Sequence, residues 1–253
     1  MSYLEKAKVT LVPEISVGDW IRDSLNPWEV LPGEDTFQIG IVIPSGFDRY
    51  VLVRHSGPGD SQGCLGEETL KSLIEVLSAF TTTPEDCFFA LWEGQGWMHR
   101  GSIYAFSPTD GRYLHRKIRA VRNWHTWFNL RNSGRNRQPV KQSLDQLDSH
   151  SLPDAIMESP RLQMPNRNYL LMKGAIEEGN NLGYQFNDSP FFQSPNLMWP
   201  MDHSWIMASE IDFDMTLLGG SSELVDSILQ ATHLVTQEFE WSDSVAKLGV
   251  HEK

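Results

Sequence analysis

Short runs in which apolar and polar residues alternate dominate this sequence, and a helical spacing replaces them in a few places. The runs at 38–43 and 48–55 are rich in Ile, Val and Leu and lie on either side of Pro44-Ser45-Gly46. A turn-forming tripeptide between two such runs predicts a hairpin or two adjacent strands. The segment 68–80 has apolar residues three and four positions apart, which predicts an amphipathic helix. Its apolar stripe consists of Leu70, Leu73, Ile74, Leu77 and Phe80.

The remaining apolar runs complete a mixed set of elements. They predict strands at 87–94, 102–106, 168–176 and 204–214 and a helix at 221–231. These strands and helices do not alternate regularly along the chain, as they would in a doubly wound parallel fold. We therefore predict an α+β protein with a mixed or antiparallel sheet and a few packing helices.

Length and composition are those of one globular domain. The chain has 253 residues, of which 40% are hydrophobic and 21% are charged, and it contains nine tryptophans. This is enough apolar material for a sizeable core. The first residues lack an apolar signal-peptide core, no run is long enough to span a bilayer, and the two cysteines have no metal-binding spacing. We expect a single domain over 1–253 in a cytoplasmic protein without a membrane segment.

Charge is distributed unevenly along the chain. The net charge is −12, but residues 111–144, here called the basic segment, contain nine Lys and Arg and no Asp or Glu, so the rest of the chain carries −21. The stretch 131–168 is largely polar, contains four prolines and shows little apolar periodicity. Such a stretch is typical of a linker or a surface excursion. We therefore expect a mobile, basic excursion at about 111–165.

The basic segment is the candidate nucleic-acid surface. Aromatic residues are interleaved with its arginines, a combination typical of proteins that bind single-stranded nucleic acids. The candidate basic surface consists of Arg112, Arg116, Lys117, Arg119 and Arg122. The strong negative charge elsewhere opposes nucleic-acid binding and favours attraction of the segment to an acidic protein partner or to a second copy of the protein.

The densest group of polar and aromatic residues lies at 195–229. If 204–214 is one strand, alternation places Glu210, Asp212 and Asp214 on the same face, about 7 Å apart. Carboxylates at this spacing repel and raise one another's pKa unless a cation or a basic group lies between them. One interpretation is a site for Mg²⁺ or Ca²⁺, or for acid–base catalysis. The other, which we favour, is a half-exposed strand whose acids are solvated or paired with arginines of the basic segment.

The same region supplies the candidate binding surface. Asp202 and His203 precede the predicted strand, and Arg54-His55 ends the run at 48–55 beside a glycine-rich loop, where functional pairs are common. The candidate surface consists of Arg54, His55, Trp199, Asp202, His203, Glu210, Asp212 and Asp214. Just after it, TLLGGSS predicts a strand end, a Gly-Gly turn and a serine N-cap ahead of the helix.

Several stretches resemble a widespread family of uncharacterised bacterial proteins. The segment SPNLMWPMDHSW, followed by EIDFD and by TLLGGS, is similar to the family pattern except that Met198 replaces the usual aromatic residue. The earlier stretches GFDRYVLVRH and TPEDCFFALWEGQG are also similar to family sequences. The resemblance implies one intact bacterial domain, and it brings no known activity.

These observations predict a binding protein rather than an enzyme. The sequence has no GxSxG, HExxH or paired CxxC motif, so no nucleophile, metal site or cofactor is predicted. We hypothesise a non-enzymatic protein that binds a protein partner, or associates with itself, through the region 199–214. The alternatives are a Mg²⁺- or Ca²⁺-dependent enzyme or ligand-binding protein that uses the acids at 202–214, and a nucleic-acid-binding protein that uses the basic segment.

Overall fold

The computed structural model divides the chain into two compact units. The residues that it describes are 7–30, 36–94, 102–106, 113–117, 154–165, 167–186 and 189–249. One unit comprises Met1–Trp92 and Ser159–Lys253, and the other comprises Glu93–Glu158. The basic segment belongs to the second unit and, apart from residues 113–117, lies outside the described residues.

The described residues form thirteen strands and four α-helices. The strands are β1 (Thr10–Leu11), β2 (Arg49–Arg54), β3 (Cys87–Trp92), β4 (Ser102–Phe106), β5 (Tyr113–Lys117), β6 (Arg161–Met164), β7 (Arg167–Gly174), β8 (Gly183–Phe186), β9 (Ser189–Phe192), β10 (Leu197–Pro200), β11 (Ile206–Ala208), β12 (Met215–Gly220) and β13 (Thr236–Phe239). The helices are α1 (Asp19–Asp23), α2 (Glu67–Leu77), α3 (Asp154–Glu158) and α4 (Ser222–Gln230). Short 3₁₀ helices lie at Ile15–Gly18, Ile39–Ile41, Ser78–Phe80, Ile176–Asn181 and Ala246–Leu248.

Nine of these strands form one antiparallel sheet in the larger unit. Its order is β1-β7-β3-β10-β11-β12-β2-β13, and β6 pairs with the first half of β7. The pairs β4–β5 and β8–β9 form two separate hairpins. The predicted α+β class is confirmed, and so are the strands predicted at 48–55, 87–94 and 168–176, which correspond to β2, β3 and β7.

One face of the sheet packs against α1 and the segment that follows β13. Phe88 of β3 and Trp199 of β10 are partners across the sheet, and they share a buried cluster with Ile21 and Val245. Their rings stack with centroids 5.2 Å apart. Trp199 is completely buried, so the prediction that it belongs to a binding surface is wrong. The reason is that β10 lies inside the sheet and this face is covered.

The opposite face is covered by α2, α4 and a 3₁₀ helix. Ile74 of α2, Phe89 of β3 and Met198 of β10 converge on Gly179, where an added Cβ would lie 3.2–3.4 Å from them. The apolar stripe of α2 is buried from Leu70 to Leu77, as its helical spacing predicts. Both faces of the sheet are therefore buried, and side chains in its central strands have no access to water.

The predicted helix at 221–231 is confirmed as α4, together with its N-cap. The hydroxyl of Ser221 accepts a hydrogen bond from the backbone N–H of Leu224 at 3.2 Å. The predicted Gly-Gly turn is wrong, because Gly219 and Gly220 belong to β12. A Cβ on Gly219 would lie 2.8 Å from the ring of Phe47, so the glycine is needed for close packing of an aromatic side chain.

The strand predicted at 38–43 is also wrong, because residues Ile39–Ile41 form a buried 3₁₀ helix. The indole of Trp241 packs against Gly40 and donates a hydrogen bond to the carbonyl of Ile43 at 2.8 Å. This contact comes from the far end of the chain and outweighs the strand preference of an isolated run of Ile and Val.

Two glycines with positive φ give a matched test of backbone packing. Gly63 (φ +72°) would place a Cβ 2.6 Å from the Cα of Ile211, whereas a Cβ on Gly46 (φ +105°) would meet nothing within 4 Å. We expect Gly46→Ala to lower the free energy of unfolding by about 1–2 kcal/mol through backbone strain alone. Gly63→Ala should cost clearly more, because the clash with Ile211 adds to the strain. Urea denaturation of both variants measures the difference, and equal losses would contradict the described path at Ile211.

Candidate functional site

The turn that follows β10 carries two of the predicted site residues and is held by one carboxylate. Oδ2 of Asp202 accepts hydrogen bonds from the Thr82 N–H at 2.7 Å, the Thr82 hydroxyl at 2.8 Å and the Thr81 hydroxyl at 3.0 Å. Its Oδ1 accepts from the N–H of Ser204 at 3.1 Å. Asp202 therefore ties residues 201–204, here called the display turn, to a loop 120 residues earlier in the chain.

The titration of Asp202 follows from these contacts. Burial on its own would raise the pKa of Asp202, but the hydrogen bonds from Thr82 and Ser204 outweigh burial and hold the pKa well below its usual range. The carboxylate is thus charged at neutral pH, and its oxygens are already occupied by protein donors. Its chemical role in this structure is to fix the turn.

His203 has an unusual backbone conformation within the display turn. It is the only non-glycine among the described residues with a positive φ, at 54°. Such a conformation costs about 1–3 kcal/mol and persists only where its surroundings impose it. Here the imidazole stacks on the indole of Trp20, with centroids 4.5 Å apart and planes 21° apart. Burial lowers the pKa of His203 and the charge of Asp202 opposes this shift, so the ring is neutral at pH 7.

The stacked pair rests on the aromatic core. Trp20 meets Trp199 edge to face at 6.5 Å and Phe47 in the same manner at 6.3 Å. At the other side of the turn, the side chain of Met201 is 43% exposed. Among the described residues, only Val30 and Val235 are other large apolar side chains with comparable exposure. The display turn therefore joins an exposed methionine to a rigid aromatic base.

The acidic residues at 210–214 do not form the predicted row. The strand predicted at 204–214 is wrong, because β11 ends at Ala208 and β12 begins at Met215, with a turn between them. Glu210, Asp212 and Asp214 therefore lie in a turn, where strand alternation does not apply. A carboxylate inside a sheet that is buried on both faces would be costly, which is why the acids lie outside the strands.

Each of these acids lies near an arginine of the larger unit. Nη2 of Arg167 lies 2.8 Å from Oε1 of Glu210 and 3.3 Å from Oδ2 of Asp212. Asp214 lies 4.0 Å from Nη1 of Arg54. The favoured interpretation therefore needs one correction, because the arginines belong to β7 and β2 and not to the basic segment. The sequence predicts pairing with arginines, but it does not predict that these arginines belong to the sheet.

Arg167 and Glu210 form the buried part of this group. The side chain of Glu210 is 5% exposed, whereas that of Asp212 is 70% exposed. Burial raises the pKa of Glu210, and the charge and hydrogen bond of Arg167 oppose the shift. The guanidinium carbon of Arg167 also lies 5.6 Å from the ring centre of Trp28 and 5.8 Å from that of Trp92. Two indoles and two carboxylates thus hold one guanidinium, an arrangement that stabilises the fold.

The side chains of the predicted pair Arg54-His55 have different hydrogen-bond partners. Strand β2 ends at Arg54, and His55 is the first residue beyond it. Arg54 donates to the carbonyl of Leu248 and to Gln237 at 3.3 Å. His55 instead enters a buried chain of hydroxyl groups. Asp214 is a neighbour of both residues, since it lies 4.0 Å from Nη1 of Arg54 and its charge acts on His55.

The tautomer of His55 follows from its partners. Nδ1 lies 2.7 Å from the carbonyl oxygen of Ser61, which can only accept, so Nδ1 carries the proton of the neutral ring. Nε2 then accepts from the hydroxyl of Thr216 at 2.9 Å. The hydroxyl of Thr216 in turn accepts from that of Ser209 at 2.7 Å. Burial lowers the pKa of His55, against the hydrogen bond of Ser61 and the charges of Asp60 and Asp214.

Sequence reasoning missed the residues that organise these groups. Thr81 and Thr82 lie in a run of threonines before a proline, a pattern typical of a turn, but nothing in the sequence links them to Asp202. Trp20 and Thr216 had no signal beyond their residue type. The hydrogen bonds described for the carboxylate of Asp202 come from Thr81, Thr82 and Ser204, whereas those described for Arg167 go to Glu210 and Asp212. The predicted site residues therefore fall into separate places.

The candidate basic surface lies mostly outside the described residues. Arg116 and Lys117 belong to β5, which pairs with β4 in register from Ser102↔Lys117 to Phe106↔Tyr113. Arg112, Arg119 and Arg122 fall outside the residues that the structure describes.

Metal ligands, membrane spans and known families are the remaining features that could assign a function to this chain. Within the described ranges, no three His, Cys, Asp or Glu side chains come together in a group that could hold a metal ion. No helix of the described chain has the length and apolar character needed to cross a membrane. The chain matches no known family model, no curated protein and no solved structure. The bacterial family suggested by the sequence motifs stays a prediction.

The two carboxylates on Arg167 give a matched pair of variants. We expect Glu210→Gln to lower the free energy of unfolding by about 1.5–3 kcal/mol, because it weakens a charged hydrogen bond in a buried place. Asp212→Asn should change it by less than about 0.5 kcal/mol, because an exposed ion pair contributes little. Chemical denaturation at neutral pH measures both values. A larger loss for Asp212→Asn would show that the exposed carboxylate is the main partner.

His55 should make stability depend on pH. Because its pKa in the folded state is below the usual value of about 6.5, the unfolded chain binds a proton that the folded chain resists. The contribution of His55 to the free energy of unfolding is therefore fully present above about pH 6.5. It decreases as the pH falls below that value, by up to about 1.4 kcal/mol per pH unit. His55→Gln should reduce this slope; the contribution of His203 remains. His233→Gln, at an exposed position, is the control, and equal slopes for wild type and His55→Gln would contradict the assignment.

Proposed function

We propose that this chain is a non-enzymatic protein that binds a protein partner through the display turn. The observation that carries the proposal is the left-handed backbone of His203, imposed by the hydrogen bonds of Asp202 and the stack on Trp20. Backbone strain of this kind is concentrated at functional sites, where the surrounding structure compensates for its cost.

Preorganisation supports a binding role. Asp202 accepts four hydrogen bonds, from two hydroxyls and two backbone N–H groups, so the turn is ordered before any partner arrives. A surface that is already ordered loses less conformational entropy on association. The turn can therefore contribute affinity although it is small.

The side chains on the turn are of the kind that interfaces use. Methionine and aromatic residues are enriched in the buried centres of protein–protein interfaces. Met201 is flexible and exposed, so it can adapt its shape to a pocket on the partner. The stacked rings of His203 and Trp20 provide a firm surface beside it.

Asp202 and Glu210 already have protein partners for their carboxylate oxygens, which favours binding over catalysis. A Mg²⁺ or Ca²⁺ site needs several carboxylate or carbonyl oxygens directed at one point. Asp202 is occupied by donors of its own turn and loop, and Glu210 is occupied by Arg167. Removing either acid from its donors would leave a polar group without its partner, which opposes a role as metal ligand or general base.

We further propose that the protein works in the bacterial cytoplasm. Both cysteines of the chain, Cys64 and Cys87, are free thiols. Free thiols are usual in a reducing compartment, whereas secreted proteins tend to pair them. The bacterial origin rests on the resemblance of the motifs around the display turn.

Position-specific photo-crosslinking in the full chain tests the binding role. A photoreactive amino acid at position 201 should give a discrete adduct with a partner in cells, because that side chain is exposed in the turn. The same amino acid in place of Val235, which is 56% exposed, is the matched control and should not give that adduct. Asp202→Ala should reduce the adduct at least severalfold by releasing the turn.

The folded state of each variant is checked by circular dichroism. His203→Gly offers a second way to loosen the turn, since glycine adopts positive φ without strain and keeps the fold. Identical adducts from positions 201 and 235, or adducts unchanged by both turn variants, would contradict a binding role for the display turn.

A further inference from the structure

Exposed carboxylates lie on one side of the display turn. Glu85 and Asp86 immediately precede β3, and the N–H of Met201 donates to the backbone carbonyl of Asp86 at 2.9 Å. Glu177 belongs to the 3₁₀ helix whose first N–H, that of Ile176, donates to Pro84 at 2.8 Å. We call the set Glu85, Asp86, Glu177 and Asp202 the acidic rim, and all four residues are exposed.

The four charges are close enough to act on one buried group. Cys87 is the first residue of β3, next in sequence to Asp86, and it lies opposite Pro200 of β10. Burial raises the pKa of the Cys87 thiol to about 12, and Asp202, Glu177, Asp86 and Glu85 all add to the shift. The backbone hydrogen bonds at Asp86 and Pro84, together with the effect of the four charges on Cys87, place the rim at one end of the sheet, next to Met201.

The rim has little positive charge of its own. Among the ion pairs of the described residues, its partner is Lys173, which lies 2.6 Å from Asp86. Glu85 and Glu177 take part in none of the described ion pairs. The rim therefore presents a net negative field beside an exposed apolar side chain, and the chain outside the basic segment is itself strongly acidic.

We infer that the partner of the display turn presents a basic segment, with Lys or Arg facing the acidic rim and an apolar side chain on Met201. The inference rests on the proposed function and names the chemistry of its partner. Complementary charge raises the rate of encounter and rejects acidic competitors, while the apolar contact holds the complex. A partner with an acidic surface would meet like charge at every residue of the rim.

Selection from a random peptide library displayed on phage tests the inference without a known partner. The full chain is the target, and peptides that also bind the Met201→Ser chain are removed, so that the retained peptides depend on the display turn. We expect the retained peptides to be rich in Lys and Arg and to contain an apolar residue. Their affinity should fall as salt is raised, because salt screens exposed charges.

Matched charge variants then locate the contact. The double variant Glu85→Gln and Glu177→Gln should weaken the retained peptides by about threefold to tenfold, since each exposed pair contributes modestly. The double variant Glu67→Gln and Glu68→Gln changes the net charge equally at the start of α2, the end of that helix away from Thr81 and the display turn, and it should leave the affinity unchanged.

The possible results separate the two proposals. Retained peptides without basic residues, or equal effects of the two double variants, would overturn the basic partner while the binding role of the turn stands. A selection that retains no peptide would overturn the binding role and the inference with it. Competition by a synthetic peptide of residues 111–144 would identify a second copy of this chain as the occupant and overturn a separate partner.

Discussion

The main sheet is buried on both faces, and this burial determines where charged side chains can lie in the larger unit. Every residue of β10, β11 and β12 is buried, because α1 and its neighbours cover one face and α2 and α4 cover the other. Charged side chains cannot be placed in such strands without a large loss of solvation energy. They are therefore confined to the turns at the strand ends, and the dense polar motif at 195–229 is divided among these turns.

The turns satisfy their charges in two different ways. Asp202 takes neutral donors from a distant loop and remains exposed, so it fixes a conformation without forming an ion pair. Glu210 is buried and depends on the guanidinium of Arg167, which two indoles hold in place. The first arrangement leaves apolar surface free for contact at Met201, whereas the second encloses its charges. This contrast is why the display turn, and not the acidic turn, is the stronger binding surface.

Local patterns were sufficient wherever the element and its burial depend on nearby residues. The apolar stripe over 68–80 predicted α2, and a serine ahead of ELVDSIL predicted the start of α4, where Ser221 is the N-cap. The local apolar pattern gave a wrong prediction where a residue far away in the sequence determines the local structure. The indole of Trp241 makes a 3₁₀ helix out of an apparent strand at Ile39, and the ring of Phe47 requires glycine inside β12. The prediction of a row of acids is wrong for the same reason, since it assumed a strand with one solvent-exposed face.

The α+β class, the helices α2 and α4 and the buried strands β2, β3 and β7 could be predicted from the sequence, because these follow from the spacing of apolar residues along a local segment. The sequence also pointed to Asp202 and His203 as neighbours in a polar group. Their contacts became known only from the folded chain, since the donors from Thr81 and Thr82 and the indole of Trp20 come from remote parts of the sequence. Hydrogen bonds and ring stacking need contact in space, and no periodicity along one segment carries that information.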